Sequence, residues 1–265
     1  MKTTLRHITL LIVILTLAAC HHRSGNEALT FTIEGTLGNA SNRMLYIEEI
    51  TPDNGAQFVD SLPCDRDGHF RFKGSMSYPT FYSVNVSADN CVVLLPADGE
   101  EITLSGDANS LATTYRVQGS PESQLMWQLQ SYINQAKQDI ADLAQQDRQN
   151  RATMSDAEYE RAHAASDSIF LAQRQVTYLM FCNFIADNAG SLSTLFAIDA
   201  PYNLTGRVFY AENDFDIFEE VLAGLQERYP DNPHTQFFQT RVERERSARM
   251  LMQQQQQEGQ GIIIE

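Results

Sequence analysis

The sequence predicts a segregated α+β protein, with an antiparallel β-sandwich or barrel of about eight strands over residues 29–118 and an α-helical domain over 119–257. Three observations carry this. From Leu29 to Gln118 short runs alternate apolar and polar residues with a period of two, and turn sequences separate them. From Ser120 onward the apolar residues recur at three and four instead. Ser120-Pro121 marks the change, because Ser suits an N-cap and Pro suits the first helical position.

Ahead of both parts, Lys2 and Arg6 make a basic start, and Ile8 to Leu17 is apolar apart from Thr9 and Thr16. That run is too short for a membrane-spanning helix, which needs ~20 apolar residues. Its order of charge, apolar stretch and small residues reads as a signal peptide over 1–19. Leu17-Ala18-Ala19-Cys20 resembles the lipobox of bacterial lipoproteins. The resemblance implies that the Cys20 thiol receives a diacylglyceryl group and that cleavage leaves Cys20 as the mature N-terminus. Acyl chains such as palmitate would then hold the protein in a membrane leaflet at about 0.8 kcal/mol per buried CH₂. Residues 20–28, with His21-His22-Arg23-Ser24-Gly25, read as a solvated, lipidated tether. Adjacent histidines converge poorly on one metal, and no third ligand is close.

The formal charge is −15. Removing 1–19 takes Lys2 and Arg6 and no acid, so the mature chain is more acidic still. Such a surface argues against nucleic acid and against docking on anionic lipid, which leaves attachment to the acyl chains. Of the four cysteines, Cys64, Cys91 and Cys182 remain, with no Cys-x-x-Cys among them. Cys91 and Cys182 sit in apolar runs that suit buried thiols. A Cys64–Cys91 bridge stays open as an alternative in an oxidising compartment.

In the β region, Leu29, Phe31 and Ile33 alternate with threonines and Glu34. Leu45 and Ile47 oppose Met44 and Tyr46, and Phe70 and Phe72 oppose Arg71 and Lys73. Pro52-Asp53-Asn54-Gly55, Asp67-Gly68, Pro96-Ala97-Asp98-Gly99 and Gly106-Asp107 supply the turns. Tyr82-Val84-Val86, Val92-Leu94, Ile102-Leu104 and Tyr115-Val117 complete the set.

In the helical region, Leu125, Leu129, Ile133, Ala136, Ile140 and Leu143 form one stripe, with Trp127 off its centre as an edge contact to the β part. Gln145 to Thr153 reads as a polar loop. Ser155-Asp156-Ala157-Glu158 is a capping box opening a helix to about Asp187. Ile169, Val176 and Met180 are its expected buried positions, and Tyr178 to Ala186 should be enclosed on all sides. A short helix over 192–200 stops at Pro201, and Phe215, Phe218, Leu222 and Leu225 line another. A last helix runs from about His234 to Gln257, with Arg241–Glu245 and Glu245–Arg249 pairs on its exposed face and a tail over 258–265.

No catalytic constellation emerges. Asp60-Ser61 fits a strand end, and the helical carboxylates read as a solvated face. There is no Gly-rich phosphate loop, HExxH or Gly-x-Ser-x-Gly. The expectation is therefore no enzyme, no cofactor and no metal, with Cys20 as the one assigned residue.

Val59-Asp60-Ser61 followed by Asp67-Gly68-His69-Phe70-Arg71-Phe72-Lys73-Gly74 resembles the strand-hairpin of a domain of unknown function. That domain opens many lipid-anchored thiol-disulfide oxidoreductases. Pro79-Thr80-Phe81-Tyr82, Leu94-Leu95-Pro96 and Gly119-Ser120 are similar to its later part, and Phe184-Ile185-Ala186-Asp187-Asn188 to the helical region that follows. The resemblance implies a location in the cell envelope, at the outer membrane facing the periplasm. In that family a thioredoxin-like domain with Cys-x-x-Cys comes next, whereas here the sequence reads Glu258 to Glu265. The family's catalytic cysteines thus have no counterparts in this sequence.

The leading expectation is a lipid-anchored envelope protein with a non-catalytic binding or scaffolding role. One alternative is an accessory or shortened member of a thiol-disulfide system, partnered by a thioredoxin-like or other envelope protein. Another is a lipoprotein that captures a glycan or peptide through an aromatic patch including Trp127 or Tyr132.

Overall fold

The computed structural model describes residues 28–203 and 206–261, with side chains as far as 255. The signal peptide, Cys20, the two tether histidines and the end of the tail lie outside the described residues.

Eight strands form two four-stranded sheets, as the alternation predicts. β1 (Leu29–Gly38), β4 (His69–Met76), β7 (Glu101–Asp107) and β8 (Arg116–Gln118) make the first, in the order β4-β1-β7-β8. β2 (Met44–Thr51), β3 (Gly55–Pro63), β5 (Phe81–Ser87) and β6 (Asn90–Leu94) make the second, in the order β3-β2-β5-β6. Phe31, Ile33, Phe72, Ile102 and Leu104 from one sheet meet Leu45, Ile47, Tyr82, Val84 and Leu94 from the other, all buried. The Phe31 and Tyr82 rings touch across the core at 4.7 Å. Met44 and Tyr46 face outward, as do Arg71 and Lys73.

One pairing departs from the antiparallel expectation, since β7 runs parallel to β1. The chain crosses from β6 back to the first sheet through the Pro96–Gly99 turn, and so enters β7 in the direction of β1. Gly35 makes this approach possible. A Cβ there would lie 1.7 Å from the Leu104 carbonyl oxygen, its register partner. Asp67-Gly68 forms the expected tight turn, with Gly68 at φ +81° where a side chain is strained.

A single-turn helix, α1 (Leu111–Thr114), precedes β8 and is too short to leave a periodic signal. Beyond β8 lie α2 (Pro121–Thr153), α3 (Asp156–Asp187), α4 (Ser193–Ile198), α5 (Phe215–Arg228) and α6 (Pro233–Gly261). Ser120 caps α2 by accepting from the Ser123 N–H, with Pro121 at its first position. The Ser155/Glu158 capping box opens α3. α6 continues a turn past the expected end at Gln257.

Four expectations are corrected. Gln145 to Thr153 is helical, because Gln, Arg and Ala are good helix formers and the strong break falls only at Met154-Ser155. Ile169 and Val176 are exposed, at 47 % and 58 %, and Met180 is only half-buried. These positions fall on a side of α3 that stays exposed, while Phe170 and Tyr178 of the same stretch pack against Tyr202 and Phe209. Towards the end of α3 Phe181, Phe184 and Ile185 are buried, but Leu179 is half exposed, and α3 is not enclosed all round there. The expected Arg241–Glu245 and Glu245–Arg249 pairs on α6 do not form, and Glu245 lies 3.9 Å from Arg244 instead. Arg241 reaches Asp199 at 2.7 Å, Arg246 reaches Glu219 at 2.8 Å, and Arg249 donates to the Ala211 and Glu212 carbonyls.

The second core explains why β5 is buried on both faces. Phe81 and Leu95 leave the sandwich and join Met126, Leu129, Phe181, Phe184, Phe218 and Leu225. The second sheet is thus the middle layer of three, with the first sheet on one side and the helices on the other.

Candidate functional site

The assigned residue, Cys20, lies outside the described residues, so its lipidation rests on sequence. Cys64, Cys91 and Cys182 are all unpaired, and burial pushes each thiol above its ordinary range. That is the opposite of the lowered value a nucleophilic thiol needs. Asp60 accepts from the Ser61 N–H at 2.7 Å, and the two lie inside the exposed strand β3, paired with Ile47 and Tyr46, rather than at a strand end.

Asp65, Asp67 and His69 come together at the β3–β4 turn. Their arrangement is explained by the turn itself, since Asp65 Oδ1 accepts from the N–H groups of Asp67 and His69, both at 2.9 Å. Those two bonds hold the Asp65 carboxyl below its ordinary range.

The junction between sandwich and helices contains a titratable group that sequence reasoning missed. Asn232 caps α6 by accepting from the His234 N–H at 2.9 Å and donates to the Pro79 carbonyl at 2.8 Å. This sets the His234 imidazole against Thr80 at the start of β5, with Nε2 2.9 Å from the hydroxyl. Thr80 spends its only proton on the Ile50 carbonyl. The hydroxyl must therefore accept from His234, which fixes the proton on Nε2. Burial lowers the His234 pKa from 6.5 to about 4, so the ring is neutral near pH 7. The edge of the Phe81 ring completes the packing, with centroids 5.1 Å apart. The geometry is that of a buried structural pin.

Beside this pin an apolar hollow of about 370 Å³ is bounded by Ile50, Phe196, Phe237 and Phe238. Arg241 and Arg207 share Asp199 at its rim, at 2.7 and 2.6 Å.

Trp127 and Tyr132, the two aromatics singled out in the sequence, line one groove of about 950 Å³ between β8 and α2. Trp127 is the edge contact expected of it. Its ring packs on the sandwich core and its Nε1 donates to the Tyr115 carbonyl at 3.0 Å. The Arg116 guanidinium lies over the ring at 5.3 Å. Tyr132 stands edge-on to Phe181 and Phe184 and accepts from Gln128 at 2.6 Å. Gln124, Gln128 and Ser131 of α2 add amide and hydroxyl groups along the floor. Both rings are half-buried and locked, which makes the groove a rigid amphipathic surface.

Residues 31–126 match the model of a family described as a domain of unknown function (DUF4369). The match spans the sandwich and the first turns of α2, and contains the strand-hairpin, Pro79–Tyr82 and Gly119-Ser120 segments noted in the sequence. No curated protein and no solved structure matches the chain.

Proposed function

We propose that the protein is a lipid-anchored, non-catalytic binding or scaffolding component of the bacterial cell envelope, held at the outer membrane by acyl chains on Cys20. The observation behind this reading is the Trp127–Tyr132 groove, whose aromatic walls are fixed by packing and hydrogen bonds before any ligand arrives. Binding to such a surface loses little side-chain entropy. The raised thiols and the sequestered, neutral His234 offer no activated nucleophile or base, which supports a binding role.

A protein partner in the envelope is the occupant favoured here, and a thioredoxin-like protein is the specific candidate. The match of 31–126 to a domain of unknown function is the observation behind that candidate, through its resemblance to the opening domain of thiol-disulfide lipoproteins. The test is a photo-crosslinking amino acid at Gln124 in the membrane-bound chain, with the same group at Met44 as a control. A discrete adduct from Gln124 alone, containing a Cys-x-x-Cys protein, is the expected result. Adducts equal at both positions, or none at Gln124, overturn the assignment of the groove.

A further inference from the structure

The helical domain carries a second cleft, of about 440 Å³, that the groove beside Trp127 does not include. One wall is α3, where Arg174, Gln175 and Tyr178 present themselves within about one turn. The other wall is the segment leading into α5, which contributes Tyr202, Tyr210 and Asp214. These residues are scattered over some forty positions of sequence, and no local motif announces them.

Residues 206–214 of the segment wall are held in place by hydrogen bonds and packing. Arg249 of α6 donates to the Ala211 and Glu212 carbonyls at 2.9 and 2.7 Å. Val208 N–H donates to the Ala200 carbonyl at 3.0 Å, and Phe209 is buried beneath. Asp214 Oδ2 accepts from the Tyr210 N–H at 2.8 Å, and Oδ1 accepts from the Tyr178 hydroxyl at 3.0 Å. Tyr178 also packs edge-on against Phe209 at 5.3 Å. Burial and the Asp214 bond raise the Tyr178 pKa, so its proton stays in place near pH 7.

The cleft's chemistry is mixed in a particular way. The Tyr210 hydroxyl accepts from the Arg207 N–H at 3.0 Å and keeps its own proton to donate. Arg174 has no ion-pair partner among the described residues, in a chain with 34 acids and 19 bases. It is a donor without an acceptor. Asp214 offers the remaining lone pairs of both oxygens, and Gln175 and Asn213 can each donate and accept. One cation and one anion balance, so no net charge selects a phosphate. Asp214 itself occupies the N-cap of α5 and denies that helix end to an anion. No strand edge borders the cleft, which disfavours a peptide added by backbone pairing.

A ligand with a C–H face for the exposed Tyr210 ring and a ring of hydroxyls for the amide, guanidinium and carboxylate groups and for the buried Tyr202 hydroxyl, unpartnered among the described residues, fits all of this. We infer that the tyrosine-walled cleft between α3 and the segment before α5 binds a neutral saccharide, of about two hexose units given the usual relation of cleft to ligand size. This goes beyond the anchored binding role and does not depend on Cys20 or on the Trp127 groove.

The test is an array of neutral and acidic glycans probed with the full-length chain in lipid nanodiscs. Glycoside detergents are avoided because they would compete. Titration of the best neutral ligand against variants follows. Arg174→Ala and Gln175→Ala, both exposed and expected to fold, should each weaken binding by about tenfold, and Tyr210→Ala by more. Met44→Ala, on the exposed outer side of β2 and outside the cleft lining, and Cys20→Ala should bind like the unaltered protein. A blank array, binding of acidic glycans only, or affinity unmoved by Arg174→Ala and Gln175→Ala overturns the proposal. None of those results bears on acylation or on crosslinking from Gln124.

Discussion

The sandwich and the α2–α3 hairpin turn the same kind of apolar residue to opposite ends. In the sandwich each alternating residue meets a second sheet, so Ile33, Leu45, Val84 and Ile102 are buried almost completely. On α3 the residues Ile169, Leu171 and Val176 recur along a long helix but stay exposed, because only the sides turned to α2 and to the segment before α5 are covered. Polar contacts hold the tip instead. His163 and Tyr159 both reach Asp147, at 2.8 and 3.3 Å, and Arg151 lies over the Tyr159 ring. Apolar pattern becomes stability only where a further layer exists to receive it.

The largest test of this contrast is Phe81→Ala. Phe81 is buried where sandwich and helices meet, 4.6 Å from Phe196 between ring centres. Its loss should cost about 3–5 kcal/mol in urea unfolding. A cost near zero would mean that the middle layer does not join the two cores.

A second test uses the pin. His234 has its folded pKa lowered from 6.5 to about 4 by burial. Between these values the unfolded chain takes up a proton that the folded chain refuses. His234 therefore contributes full stability above about pH 6.5 and loses it as pH falls towards 4, by about 3 kcal/mol at most. Subtracting the pH profile of His234→Gln from that of the unaltered protein should leave this slope. Parallel profiles would show that the ring is open to water.

The smallest effect belongs to the hairpin. Val176→Ala should shift the unfolding free energy by no more than about 0.5 kcal/mol, since its side chain is already exposed. A loss of several times that size would reveal a packed face, and would sharpen the contrast into a search for what covers it.

Much of the fold was legible because it is local. Period-two runs, Asp67-Gly68, the Ser120-Pro121 start and the Ser155/Glu158 box each act within a few residues, and each stands where the pattern puts it. Trp127 was readable as an edge contact because it sits off the α2 stripe. The parallel β1–β7 pairing was not, since alternation says which face a residue takes and nothing about its neighbour strand. The outward fate of Ile169 and Val176 depends on which sides of α3 its neighbours cover, which no helix pattern records. Thr80 and His234 are 154 positions apart, and the cleft tyrosines come from α3 and from the segment before α5, so only the tertiary fold brings them together.

The proposed function rests most heavily on Cys20, whose acylation would tether the rest of the chain. Mass spectrometry of the N-terminal peptide from protein purified out of bacterial membranes addresses it directly. The predicted result is a peptide beginning at Cys20, with a diacylglyceryl thioether on its sulfur, and its loss in Cys20→Ala. A peptide beginning at any other residue, or a Cys20 peptide without acyl mass, would contradict the account.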